Sequence, residues 1–153
     1  MKNYPILYLM KNKLNTVLVI DDDEPTNFLN QMIIEESGCA EHVMALQSGQ
    51  EALEYLTREK ESWLKGPDLI FLDINMPAMN GWEFLEKYRQ LTKEQQAKVM
   101  VVMLTTSLFP EDKLKAQEIP EVSGFENKPL TAEKLDRIVK KFFDRKTANS
   151  SAI

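Results

Sequence analysis

Leu69-Ile70-Phe71-Leu72-Asp73 is a run of four apolar residues closed by a carboxylate. A run this short, with no polar alternation, reads as a strand buried on both faces, the kind found in parallel sheets. Val17-Leu18-Val19-Ile20 is a second such run, and Asp21, Asp22 and Asp23 follow it. Two parallel strands of this kind deliver their terminal acids to one edge of one sheet. Left alone, the cluster repels itself and raises some of its own pKa values. It makes sense as a set of oxygen ligands for a hard cation, with magnesium the expected ion, beside a carboxylate able to act as a nucleophile.

Outward from these two runs, strand and helix signals alternate along the whole chain, the pattern of a parallel α/β sheet. Strand one is expected over 16–20, followed by a helix with Pro25 in its first turn, an apolar stripe of Phe28, Met32 and Ile33, and Gly38 as its C-terminal cap. Strand two covers about 42–46, and Ser48 caps a helix that buries Ala52, Leu53 and Leu56. Gly66-Pro67 leads into strand three, 68–72, and the turn-rich loop 75–81 feeds a helix bearing Phe84, Leu85 and Tyr88. Strand four is 99–104. Pro110 opens a short helix ending near Pro120, and strand five runs from Val122 to about Glu126. The last helix starts at Thr131 and repeats Leu135, Ile138, Val139, Phe142 and Phe143 at helical spacing. Its third helical position is Lys134, so the acidic partner of a capping box is missing. The expected division is an N-terminal extension over 1–14, one domain over 15–146, and a disordered tail over 147–153.

Composition narrows the function classes. With 43% hydrophobic and 28% charged residues the chain is that of a soluble globular protein. A net charge of -5 and no Lys/Arg cluster argue against nucleic acid as a partner. No stretch approaches the ~20 apolar residues that cross a bilayer. The apolar segment Tyr4 to Met10 contains Pro5 and runs into Lys11-Asn12-Lys13 without a small-residue cleavage site, so it reads as an extension and not as a secretion signal. Met10 is an alternative translation start on this reading. The single Cys39 excludes a disulfide framework, fits a reducing cytoplasm, and reads as a small buried hydrophobe. His42 is alone and cannot form a multi-histidine metal site. Trp63 and Trp82 read as structural, Gly81 as a loop-geometry residue, and the chain carries no Walker or dinucleotide glycine pattern.

In open α/β sheets ligands bind outside the carboxyl ends of the strands. Those ends supply Asp21 and Asp22 from strand one, Asp73 from strand three, Thr105 from strand four and Lys128 from the end of strand five. Together they suit phosphoryl chemistry: carboxylates for the metal, Asp73 to attack, a hydroxyl and an ammonium for the phosphoryl oxygens. A shift of one residue would make Asp22-Asp23 the metal pair. Asp21-Asp22 is favoured because it directly follows the strand, which leaves Asp23 as a charge at the helix N-terminus.

The segments VLVIDDDEPTNFL (17–29), DLIFLDINMPAMNGWEFL (68–85), VVMLTTS (101–107) and GFENKPL (124–130) resemble the receiver domain of two-component response regulators, in order and at matching intervals. The resemblance covers 16 to about 145. It implies a flavodoxin-like, CheY-like fold with a five-stranded parallel sheet of order 2-1-3-4-5 and helices on both faces. Asp73 then matches the phospho-accepting aspartate and Asp22 the acid that binds magnesium directly. Asp21 is its neighbour, and the backbone carbonyl of Asn75 is a further ligand. Thr105 matches the hydroxyl that turns toward the aspartyl-phosphate, Lys128 the lysine that pairs with a phosphoryl oxygen, and Phe125 the switch aromatic. The Lys128-Pro129 bond is often cis in this fold.

Thr106 is bulkier than the residue often found there, which would narrow access to the aspartyl-phosphate and alter the rate of phosphotransfer. Neither Ser107 nor Asn75 is a base strong enough to activate water rapidly, so the acyl phosphate is expected to last minutes or longer. The resemblance implies a stand-alone receiver, not an enzyme. It would take a phosphoryl group from a sensor histidine kinase or histidine phosphotransfer protein and signal to a downstream protein. Its output or homodimer surface would be the face of the fourth helix, fifth strand and fifth helix. The rival readings are a phosphorylation-independent pseudo-receiver, an aspartyl-nucleophile magnesium phosphatase, and a flavin module. The phosphatase is disfavoured by Asn75 at the position where a general acid belongs.

Overall fold

The structure, a computed structural model, describes residues 13–58, 66–98 and 100–151, without the side chains of Met100 and of residues 145–151. The readings of the N-terminal apolar stretch and of Trp63 fall outside the described residues. Five strands form one parallel sheet in the order β2-β1-β3-β4-β5. They are β1 (Leu14–Ile20), β2 (Ala40–Leu46), β3 (Leu69–Leu72), β4 (Met100–Thr105) and β5 (Val122–Asn127). Between and after them lie α1 (Glu24–Ser37), α2 (Gly49–Thr57), α3 (Gly81–Tyr88), α4 (Pro110–Gln117) and α5 (Ala132–Ser151). Among the described residues no helix is long and apolar enough to cross a membrane.

Because successive strand residues face opposite ways, each central strand feeds two cores. Val17, Val19, Leu69, Phe71, Val102 and Leu104 pack with Ile34 of α1 and with Leu135, Ile138, Val139 and Phe142 of α5. Leu18, Ile20, Ile70, Leu72, Val101 and Met103 pack on the other face with Ala52 and Leu56 of α2, Phe84, Leu85 and Tyr88 of α3, and Ala116 of α4. Trp82 joins this second layer at its margin, with Lys115 Nζ 4.6 Å from its ring centroid, a structural placement as expected.

Local signals behave as read in most places. Gly38 ends α1 in the left-handed region at φ 70°, its N–H donating to Glu35 O at 3.1 Å. Ser48 caps α2 by accepting from Glu51 N at 3.0 Å. Asn80 and Glu83 close a reciprocal capping box on α3. β1 begins earlier than expected, at Leu14, whose side chain is fully buried. α5 continues to Ser151, past Lys146, since no glycine or proline follows Arg145 to stop it.

The expected stripe of α1 is wrong by one rotation. Phe28 and Met32 are 64% and 37% exposed, Ile33 is partly buried, and Asn27, Asn30 and Ile34 face the sheet. Adjacent helical residues point about 100° apart, so turning Asn27 inward turns Phe28 out. Asn27 turns inward because its amide donates to the carbonyls of Asp21, at 2.7 Å, and Leu46, at 3.1 Å.

Candidate phosphoryl-transfer site

β1, β3, β4 and β5 end at one edge, and their last hydrogen bonds tie the site together. Asp21 N donates to Leu46 O at 3.1 Å, Asp73 N to Ile20 O at 3.0 Å, and Lys128 N to Thr105 O at 2.8 Å. Asp21 and Asp73 are 2% and 5% exposed, whereas Asp22 is open to solvent. One carboxylate oxygen from each of Asp21, Asp22 and Asp73 lies within 4.8 Å of the others. Lys128 Nζ reaches Asp21 Oδ2 at 2.5 Å and Asp73 Oδ1 at 3.1 Å. Within this set one ammonium faces three carboxylates, leaving two negative charges, which is the charge of a divalent cation. An all-oxygen donor set with that residual charge fits a hard divalent ion.

The electrostatics follow from burial. Desolvation pushes the Asp73 carboxyl above the usual range, the neighbouring Asp21 charge adds to it, and Lys128 opposes both. Burial pulls the Lys128 ammonium down, but its hydrogen bond and charge pairing with Asp21, then Asp73, outweigh that and leave it above its ordinary value.

Asp23 stands outside the cluster. Its carboxylate caps α1, accepting from Thr26 N at 3.1 Å and from the Thr26 hydroxyl, while its own N–H donates to Asp21 Oδ1 at 2.9 Å. Thr105 is fully buried at the end of β4, and its hydroxyl oxygen accepts from Ser107 N at 3.0 Å. Ser107 donates its hydroxyl to Asp112 and accepts from Phe109 N at 3.2 Å. Thr106 and Asn75 are exposed. Phe125 is partly buried against the second core layer. The Lys128-Pro129 bond is cis.

The loop after Asp73 is tightly held. Met79 N donates to Pro77 O at 2.6 Å around Ala78, a non-glycine residue at φ 65°, which makes a γ-turn of positive φ. Gly81 N donates to Ile74 O at 2.7 Å, and a Cβ on Gly81 would lie 2.5 Å from Asp73 O. Gly81 therefore serves close backbone approach.

Residues 17–140 match the profile of the response regulator receiver domain. The chain belongs to that family. This receiver domain is similar to a two-component response regulator of Cytophaga hutchinsonii, at 34% identity over 86% of this chain and 98% of that one, with a TM-score of 0.75. It is also 30% identical over 131 residues to hybrid signal transduction histidine kinase L of Dictyostelium discoideum, covering 84% of this chain and 7% of that one. Response regulator Rre1 of Synechocystis matches at 28% identity over 90% of this chain and 55% of its own length. The receiver domain thus spans a small part of the kinase and about half of Rre1.

Sequence reading missed three residues that shape this receiver site. Asn27 stands outside the expected apolar stripe of Phe28, Met32 and Ile33, yet it is 3% exposed and ties β1 to β2. Its position directly before the apolar Phe28-Leu29 pair was the available signal. Asp112 and Lys134 act on the loops after β4 and β5, and neither motif contains them. His42 sits on β2, exposed and away from these strand ends. Cys39 is a free, partly buried thiol pushed up by burial, as a small hydrophobe would be.

Proposed function

We propose that this receiver accepts a phosphoryl group on Asp73 from the phosphohistidine of a histidine kinase or histidine phosphotransfer protein, and that phosphorylation switches a partner-binding face. The observation that carries the reading is Lys128 Nζ between Asp21 and Asp73, at 2.5 and 3.1 Å, inside a three-carboxylate cluster. An Asp73 oxygen forms the new bond to phosphorus as the donor's nitrogen–phosphorus bond breaks. Lys128 then pairs with a phosphoryl oxygen and the Thr105 hydroxyl donates to another. Asp21, Asp22, Asp73 and the carbonyl of Asn75 would hold magnesium, which supplies charge neutralisation for the transferring group.

Drawing Thr105 toward the phosphoryl group gives up its bond to Ser107 N and opens space for Phe125. The response is read on α4, β5 and α5, where Leu114 of α4 is 60% exposed and Leu108 and Phe109, in the loop that leads into α4, are 85% and 71% exposed. A downstream protein or a second copy is the reader. The Ser107 hydroxyl is committed to Asp112 and Phe109 N, and the Asn75 amide is no base, so hydrolysis is slow and the lifetime is minutes or longer. For the same reason we read the protein as an acceptor and not as an enzyme turning over external substrates. A phosphohistidine donor and the reduced Cys39 both suit the cytoplasm.

The test is intact-mass spectrometry after incubation with acetyl phosphate and magnesium, beside Asp73→Asn and a chelator control. A gain of one phosphoryl group that vanishes in both controls supports the reading. No adduct on folded protein would favour the pseudo-receiver.

A further inference from the structure

We propose that Lys134 is a positioning residue for Lys128, an inference that rests on the reading of Asp73 as the acceptor. Lys134 Nζ donates to Asn127 O at 2.6 Å and to Pro129 O at 3.0 Å, the carbonyls on either side of Lys128. On its other side the Lys128 N–H is held by Thr105 O at 2.8 Å. Lysine carries its charge on a flexible four-carbon stem, so where the Lys128 ammonium meets Asp21 and Asp73 depends on how firmly its backbone is anchored.

The position of Lys134 in its helix points the same way. Its N–H donates to Thr131 Oγ1 at 3.2 Å, which puts it in the first turn of α5. A cation there opposes the helix dipole, and an acid is the stabilising choice. The side chain is used instead on the loop before the helix. Lys134, Arg137 and Lys141 follow one face of α5. Arg137 pairs with Glu126 at 2.8 Å and Lys141 donates to Ser123 O at 3.0 Å, which stitches α5 to the edge strand β5. Lys134 extends this row past the strand to Lys128. Asn127 and Pro129 are exposed, so water replaces the lost bonds when Lys134 is truncated. The fold survives, and only the fixed placement of Lys128 is lost.

The experiment follows the rate of adduct formation on the full chain with acetyl phosphate and magnesium. It compares wild type, Lys134→Met, Lys134→Arg, Lys128→Met and the Lys128→Met/Lys134→Met double variant. Lys134→Met is expected to lower the rate about tenfold, a typical cost of a small misplacement. Magnesium affinity by calorimetry and the melting temperature should stay unchanged. Lys134→Arg should restore the rate, and the second substitution should add nothing in the Lys128→Met background. A wild-type rate in Lys134→Met, or a loss that adds fully in the double variant, would overturn the proposal. Side-chain ammonium NMR is the readout independent of phosphorylation. The Lys128 signal should broaden in Lys134→Met, and an unchanged signal overturns the positioning role. A broadened signal in a protein that takes no adduct would uphold it while removing the reading of Asp73.

Discussion

Lys128 Nζ lies 2.5 Å from Asp21 Oδ2, joining the end of β5 to the end of β1 across the two strands between them. Its second bond, to Asp73 Oδ1 at 3.1 Å, makes one ammonium the counter-charge for two buried carboxylates. Lys128→Met therefore leaves both acids unpaired and should lower stability by about 2 kcal/mol, less than for a fully buried pair. Adding Asp73→Asn should recover part of that loss. The folded pKa of Lys128 is raised above 10.5, so its contribution is complete below that pH and fades as pH rises through the folded value. Chemical denaturation of the single and double variants at neutral and alkaline pH checks both statements.

Asp73 carries the opposite sign. Its folded pKa is raised above 3.8, so protonation favours the folded state and the ionised form is a burden at neutral pH. Asp73→Asn should raise the melting temperature at pH 7 by roughly 2–4 °C, equivalent to about 1 kcal/mol for a domain of this size. The advantage should shrink as pH falls through the folded pKa of Asp73 toward 3.8. Calorimetry across this range reads the crossover.

Asp22 and Asp23 are adjacent acids with different work to do. Asp22→Ala should abolish magnesium binding measured by calorimetry and leave α1 intact. Asp23→Ala should leave binding in place and weaken α1, because it removes the cap on Thr26. Loss of magnesium binding in Asp23→Ala as well would reinstate Asp22-Asp23 as the metal pair.

The acceptor loop makes two opposed predictions. Gly81→Ala drives a Cβ against the backbone of Asp73 and Ile74, at 2.5 and 2.9 Å, and should cost about 2 kcal/mol. Ala78→Gly relieves a positive φ of 65° and should be neutral or stabilising by up to about 1 kcal/mol. Urea denaturation of the two variants separates close approach from backbone strain.

On α1, Ile34→Ala should cost roughly 2–4 kcal/mol as a core truncation, whereas Phe28→Ala should stay within about 0.5 kcal/mol. Equal losses would return Phe28 to the core. A drop in phosphotransfer from a kinase with Phe28→Ala, at unchanged stability, would mark its ring as part of the donor's docking surface.

Apolar runs such as 17–20 and 69–72 announce themselves because a strand buried on both faces needs an unbroken hydrophobic series, and the first polar residue after each run must lie at the sheet edge. Residues 16–20, 68–73, 101–105 and 124–130 therefore carried the fold and the acid, hydroxyl and ammonium at its edge. The helix ends were equally local: Ser48 and Gly38 act on backbone groups a few residues away. The rotation of α1 was not local, because it is set by the Asp21 and Leu46 carbonyls, which belong to two different strands and reach Asn27 only once the sheet has formed. That Asp23 caps α1 likewise waited on where that helix begins. Lys134 read from sequence as a flawed cap, since nothing in a linear pattern places its ammonium beside the carbonyls that flank Lys128. Periodicity and turn chemistry act between neighbours along the chain and are legible there, whereas hydrogen bonds between distant segments exist only after packing has brought them together.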